Sequence, residues 1–163
     1  MRSRFYLPLF SLLFLFILTG CPYKSEVPID EGQVKINAAL IGKWAEEDKA
    51  AEENPTYFEI TKIDDYKYMV VNNEYSSYDS TYTKTNYIAH LSVMEGLTFL
   101  NMLHDGFYHL HKVVLSEDHF TLFEVTDNID ETFDSAEELK AFVQKYMHLS
   151  FFYNKDEKKY VRM

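Results

Sequence analysis

The chain has 163 residues, and its 26 acidic residues against 16 Lys and Arg give a formal net charge of −10. This balance argues against a nucleic-acid-binding protein, because nucleic acid rewards clustered positive charge, and against adsorption to an anionic lipid surface. The length suits one ordinary domain with its own core. With a single Cys in the chain, no intramolecular disulfide can stabilise that domain.

The first 20 residues have the composition of a secretory signal peptide. Arg2 and Arg4 precede the apolar run FYLPLFSLLFLFILTG, residues 5–20. A basic start, an apolar centre and small residues at the end are typical of an export signal that is later removed. The alternative is an uncleaved membrane anchor, but the run is shorter than the roughly 20 residues needed to cross the hydrocarbon, and Pro8 lies within it.

The only Cys of the chain, Cys21, follows this segment directly, in the sequence LTGC. These residues resemble the lipobox of bacterial lipoproteins, in which an aliphatic residue, a small residue and Gly or Ala precede the Cys. The resemblance implies that the Cys21 thiol carries a diacylglyceryl group, that a peptidase cuts before it, and that the new amine is acylated as well, for example by palmitate. It predicts an envelope protein held to the membrane by lipid. Pro22 in place of Asp favours the outer over the inner membrane, and the face of the membrane is left open.

Residues 21–36, CPYKSEVPIDEGQVKI, contain two Pro, one Gly and charges of both signs, without hydrophobic periodicity. This composition predicts a flexible tether between the anchor and a domain over residues 37–163.

From residue 40 onward, short apolar runs alternate with turn residues. Alternation with a period of two between Gly, Asn and Asp predicts β-strands, and Asp105-Gly106 predicts a hairpin. The predicted strands are LIGKW, YFEITKI, YKYMVV, YIAHLSVM, LTFLNML, FYHLHKVVL, HFTLFEV and two short strands in the tail FFYNKDEKKYVRM. Consecutive hairpins predict an antiparallel meander that closes into a barrel or packs as a sandwich.

One amphipathic helix is predicted near the C-terminus. Ser135 and Glu138 have the spacing of a capping box, in which each side chain accepts a hydrogen bond from the backbone of the other residue. Apolar residues then recur at helical spacing from 139 to 147, so one face of the helix is apolar. We expect this helix to plug one end of the barrel or to pack on its wall.

A second resemblance lies at the first predicted strand. Gly42-Lys43-Trp44 is similar to the G-x-W motif of lipocalins, and the meander with a late helix resembles that family too. The chain also resembles small bacterial lipoproteins that carry an L-x-G-x-W opening on a lipocalin-like domain of unknown function. The resemblance implies a lipocalin-like barrel in which Trp44 plugs one end and an Arg packs across it. Arg162 is the only Arg after the signal segment and is therefore the candidate, although it follows the helix and lies beyond the expected last barrel strand.

The motifs of common catalytic sites are absent from the sequence: it has no G-x-S-x-G, no H-E-x-x-H and no phosphate-binding Gly loop. We therefore expect a non-catalytic binding protein without a cofactor. A barrel of eight strands either fills with side chains or holds one small ligand. If it is hollow, an apolar small molecule would be lined by inward residues, for which the candidates are Tyr68, Leu91, Leu100 and Leu110.

The alternative is a protein- or glycan-interaction module with a filled core, whose partner would be an envelope component. Its contact surface would be the polar segment 72–86, a predicted hairpin tip or long excursion. Tyr provides contact area together with a polar tip. The candidate contact residues are Tyr75, Tyr78, Tyr82 and Tyr87.

Two histidines, His109 and His111, share one face of a predicted strand because strand side chains alternate. His90 and His104 lie on neighbouring predicted strands. Imidazoles grouped in this way can bind Zn²⁺ or Cu²⁺. No Cys or close His–carboxylate cluster supports them, however, so we predict no metal and keep His109 and His111 as weak candidates.

Overall fold

The computed structural model describes residues 23–126 and 129–163, so the signal segment and Cys21 lie outside the described residues. The strands are β1 (Lys24–Ser25), β2 (Gly42–Glu46), β3 (Tyr57–Lys62), β4 (Lys67–Ser76), β5 (Thr81–Met94), β6 (Leu97–His104), β7 (Phe107–Leu115), β8 (His119–Glu124) and β9 (Lys158–Arg162). The helix α1 spans Ala136–Tyr146, and short 3₁₀ turns span Ala38–Leu40 and Ser150–Phe152.

Strands β2 to β9 form a closed antiparallel barrel. Each strand from β2 to β8 pairs with the next along the chain, and β9 pairs with both β8 and β2. The predicted mainly β fold, a meander closed into a lipocalin-like barrel with one helix near the C-terminus, is confirmed, and the barrel is realised rather than the sandwich. The last barrel strand, β9, comes after the helix and carries Arg162.

Inward-facing side chains fill the middle of the barrel. The buried members of this interior cluster are Leu40, Trp44, Ile60, Tyr68, Val70, Ala89, Leu91, Leu100, Met102, Val113, Phe120, Leu122 and Tyr160. The gap among them has a volume of only about 10 Å³, which is at the lower limit for one water molecule. Three of the predicted ligand-lining residues, Tyr68, Leu91 and Leu100, are therefore packed in this core.

The helix packs on the outer wall of the barrel and does not plug an end. Its Leu139 and Val143 are buried together with Phe99 of β6 and Leu110 of β7. The side chain of Ser135 accepts a hydrogen bond from the Glu138 amide at 3.2 Å, as predicted. The Glu138 carboxylate accepts from the amide of Asp134, one residue before the predicted donor.

Residues 23–36 differ from the predicted flexible tether over 21–36, because they pack against the barrel. Strand β1 pairs with β7, and Ile29 is completely buried, with its amide donating to Oδ1 of Asn101 at 2.9 Å. A ring nitrogen of His90 lies 2.9 Å from the carbonyl oxygen of Asp30. The segment crosses the outer faces of several strands, so it shows no strand or helix periodicity of its own.

Candidate functional site

Trp44 and Arg162 close one end of the barrel, which we call the closed end. The Trp44 side chain is completely buried, and its Nε1–H donates to the carbonyl of Leu40 at 2.9 Å. The guanidinium of Arg162 lies 4.2 Å over the indole, within the range of a cation–π contact. It also donates to the carbonyls of Ala39 and Ile41. This end is sealed by packing and by hydrogen bonds and offers no room for a ligand at the indole.

The Gly of the G-x-W motif makes room for this arrangement. Gly42 has a φ of 146°, a conformation that residues with a Cβ rarely adopt. A Cβ at this position would lie 2.6 Å from Nη1 of Arg162. The motif therefore combines the buried indole with a residue small enough to admit the guanidinium beside it.

A pocket of about 200 Å³ opens at the opposite end of the barrel, and we call it the mouth pocket. It combines apolar, aromatic, imidazole and charged groups from the seven strands β3 to β9 and from the segment before β9. Its lining residues are Phe58, Asn72, Tyr87, Met102, His109, His111, Leu122, Glu124, Asp156, Lys158 and Tyr160. A pocket with an apolar wall and a few convergent titratable groups is the usual form of a binding site.

A second cavity, of about 320 Å³, lies at the rim of the closed end beside Leu91 and Leu97. Among its described lining residues, Lys112 alone is titratable. Because it lacks the convergent polar groups of the mouth pocket, it is the weaker candidate.

The two histidines of β7 point into the mouth pocket. Burial, together with the nearby His109 and Lys158, lowers the pKa of His111 to about 3. Burial, Lys24 and His104 lower the pKa of His109 as well. Both imidazoles are therefore neutral near pH 7. Within the described residues, Nδ1 of His111 is buried without a hydrogen-bond partner.

Two glutamates contribute negative charge to the mouth pocket. Glu124 lies opposite His111 in the pairing of β7 with β8, and Glu74 follows the pocket residue Asn72 on the same face of β4. Glu124 accepts a hydrogen bond from Asn154, and Glu74 accepts one from Asn72. Across the described residues, neither carboxylate has a Lys, Arg or His nitrogen within 4.0 Å.

Aromatic rings form part of the wall of the mouth pocket. Burial and the charges of Glu74 and Glu124 raise the pKa of Tyr87, and burial together with nearby carboxylates raises the pKa of Tyr160. Both phenols are consequently neutral at physiological pH. The ring of Phe58 lies 5.0 Å from that of Tyr160, so the pocket presents several aromatic surfaces to a ligand.

Leu110, a predicted ligand-lining residue, does not line the barrel interior. It lies in the outer cluster beneath α1, because a strand that directs His109 and His111 inward must direct the residue between them outward. Leu110 therefore cannot share the barrel interior with the two histidines beside it.

The four candidate contact tyrosines do not form one surface. Tyr75 and Tyr82 lie on the outer face of the β4–β5 hairpin with ring centroids 5.2 Å apart, and Tyr78 is fully exposed near its turn. Tyr87 points inward and lines the mouth pocket. The segment 72–86 is a regular hairpin whose ladder continues to Ser76 and Thr81.

The sequence reasoning did not single out Asn72, Glu124, Asp156 or Lys158 as site residues. Each has an ordinary polar neighbourhood in the sequence, and only the pairing of β4, β8 and β9 with the rest of the barrel brings them to one pocket. A residue paired with His111 on the next strand faces the same interior. The sequence does not give the register of β7 with β8, so it could not identify that residue as Glu124.

The described residues hold no group of three or more His, Cys, Asp or Glu side chains placed to bind a metal ion. His109 and His111 share the pocket without a third ligand of that kind. Over the same part of the chain, no helix has both the length and the apolar composition needed to cross a membrane.

No protein-family model, curated protein or solved structure matches the chain.

Proposed function

We propose that the protein is a lipoprotein of the cell envelope, anchored by lipid in the outer membrane. It binds one small molecule in the mouth pocket without converting it. The observation that carries the binding role is the contrast between two regions of one barrel. The middle is filled to a gap of about 10 Å³, whereas the mouth pocket has about 200 Å³. The mouth pocket also brings several titratable groups together, whereas the larger cavity at the closed end has only Lys112 among its described lining residues.

The size and lining of the pocket limit the ligand. Pockets for drug-sized ligands measure about 300–1,000 Å³, so this ligand is smaller. Phe58, Met102 and Leu122 would contact its apolar part, while Asn72 and His111 would contact a polar group. The proposed site thus lies at the mouth of the barrel. The ligand-lining residues predicted from sequence, Tyr68, Leu91 and Leu100, lie instead in the filled interior.

The binding role is tested by native mass spectrometry of the full chain purified in detergent from a bacterial host. We expect a co-purified ligand that adds mass under native conditions and is lost on denaturation. Asn72→Trp should abolish the added mass, because the indole would fill the pocket from an inward position. Asn86→Trp places the same side chain on the exposed outer face of β5 and should retain it. A bare wild-type mass, or an adduct unaffected by Asn72→Trp, would contradict the proposed site.

The anchor is tested separately by Cys21→Ser. We expect this variant to move from the membrane to the soluble fraction, or to remain unprocessed, because the thiol is the point of lipid attachment implied by the lipobox. Thr19→Ser keeps a small residue at its position and should fractionate as the wild type does. A Cys21→Ser variant that is fully processed and stays in the membrane fraction would disprove the lipid anchor.

An anchor on Cys21 would hold the barrel close to the bilayer. Tyr23 is already buried against the barrel, and its amide lies 3.4 Å from the carbonyl of Val125. Two residues span at most about 7 Å, so the lipidated residue would lie within about 7 Å of the barrel wall. The domain would then work at the membrane surface and not at the end of a long linker.

A second candidate function is a protein- or glycan-interaction module acting through the outer face of the β4–β5 hairpin. Its support is the cluster of Tyr57, Tyr75 and Tyr82 on that face and the fully exposed Tyr78. It becomes the leading candidate if the wild-type chain carries no co-purified ligand.

A further inference from the structure

The charges of the mouth pocket favour a cation. Among the described lining residues, Glu124 and Asp156 are acidic and Lys158 is the one permanent cation. Nζ of Lys158 lies 3.7 Å from a carboxylate oxygen of Glu46, so Glu46 partly balances the positive charge of Lys158. Glu74 adds a further negative charge on the inward face of β4, and this charge contributes to the raised pKa of Tyr87. A cleft lined mainly by one sign of charge attracts ligands of the opposite sign.

The half-buried imidazole of His111 provides an unused hydrogen-bonding atom, its buried Nδ1. In the tautomer that carries the proton on Nε2, its Nδ1 is an acceptor, and this atom has no partner within the described residues. Buried polar atoms in folded proteins are normally paired. A ligand N–H group in the pocket would supply the missing donor.

The aromatic wall suits the same ligand. Phe58, Tyr87 and Tyr160 line the pocket, and the faces of aromatic rings attract organic cations while their surfaces bury an apolar body. The neutral phenols add no charge that would need to be compensated. The three features, charge, acceptor and rings, converge on one chemical class.

We propose that the ligand of the mouth pocket is a small organic amine, with its ammonium group held by Glu124 and by Nδ1 of His111 and its apolar part against the aromatic rings. The proposal rests on the proposed function, since it names the ligand class of the same pocket. An anionic or purely hydrocarbon ligand would leave the glutamates and the imidazole without a counterpart.

Calorimetric titration of the full chain with three matched compounds tests this inference. Phenethylamine, 2-phenylethanol and phenylacetate share a ring and a short side chain and differ in charge. We expect the amine to bind at least about tenfold more tightly than the alcohol, as one uncompensated carboxylate at close range can supply, and the phenylacetate to bind most weakly. The preference for the amine should shrink as the salt concentration rises.

Glu124→Gln should lower the affinity for phenethylamine about tenfold and leave that for 2-phenylethanol unchanged. Glu74→Gln serves as a second variant with a smaller effect in the same direction, should the first not fold. Glu117→Gln removes the same charge from an exposed turn at the closed end and should change neither affinity.

Tighter or equal binding of the alcohol or of phenylacetate would overturn the amine inference and leave the proposed function standing. So would a preference that survives both Glu124→Gln and Glu74→Gln. If none of the three compounds binds, the inference is rejected, and the co-purification experiment with Asn72→Trp, which does not depend on charge, decides the proposed function independently.

Discussion

Replacing Trp44 by Ala is expected to lower the free energy of unfolding by about 3–5 kcal/mol, the usual cost of removing a large buried aromatic side chain. The indole is completely buried and lies edge-on to the ring of Phe120 at 5.0 Å. Its removal opens a cavity, leaves the Leu40 carbonyl without its donor and takes the aromatic face from beneath Arg162. Because a domain of this kind has only about 5–15 kcal/mol of stability, this is the largest single-residue effect we expect.

Urea unfolding monitored by circular dichroism measures this change. Trp44→Phe retains most of the apolar volume but not the N–H donor, so its stability should fall between those of the wild type and Trp44→Ala. Phe151→Ala removes an aromatic ring that is 69% exposed and should change stability by less than about 0.5 kcal/mol. A Trp44→Ala variant within about 1 kcal/mol of the wild type would mean that the plug contributes little to the fold.

The second large effect is a loss of stability on acidification, to which His111 contributes most. Its pKa is about 3 in the folded protein, against about 6.5 in an unfolded chain. Between these values the unfolded state binds a proton that the folded state does not, so stability rises with pH across this window. The contribution is complete above about pH 6.5 and falls by up to about 1.4 kcal/mol for each pH unit below it. The lowered pKa values of His90 and His109 act in the same direction.

The variant His111→Leu isolates this contribution, because it removes the titrating ring together with its unpartnered nitrogen. We expect its stability to depend less steeply on pH between about 6.5 and 4 than that of the wild type, and to equal or exceed the wild-type value at pH 7. The groups that face His111 in the pocket, His109, Glu124 and Lys158, remain in both proteins. His148→Gln, at an exposed position, provides the control. Urea unfolding at several pH values that gives the same slope for His111→Leu and the wild type would refute the assignment.

Local patterns were sufficient to predict the strands of the barrel and α1, but not β1 or the full length of the β4–β5 hairpin. The first of the two strands predicted in the tail is the 3₁₀ turn Ser150–Phe152. The alternation in YKYMVV identifies a strand because Tyr68 and Val70 share one buried face, and that information lies within six neighbouring residues. The capping residue Ser135 and the apolar spacing after it identify α1 in the same way. The indole plug was implied by the resemblance of Gly42-Lys43-Trp44 to the G-x-W motif of lipocalins.

Placement across the barrel could not be read from those patterns. The packing of Ile29 on the outer wall depends on Asn101, 72 residues away, and the inward direction of Tyr87 depends on its register with Val70. A shift of one residue in register moves every side chain of a strand to the opposite face. The pocket residues Asn72, His111 and Glu124 therefore could not be grouped before the pairing of their strands was known.

The sequence by itself determined the approximate positions of strands β2 to β9 and the residue at which α1 begins, because hydrophobic periodicity and capping are local interactions. The role of Trp44 as a plug was implied by the resemblance of its G-x-W motif. Only the tertiary structure decided that β9 closes the barrel, that its middle is filled, and that neutral histidines and unpaired glutamates meet at its mouth. These features arise from contacts between residues far apart in the chain, whose register and burial are set together when the barrel closes.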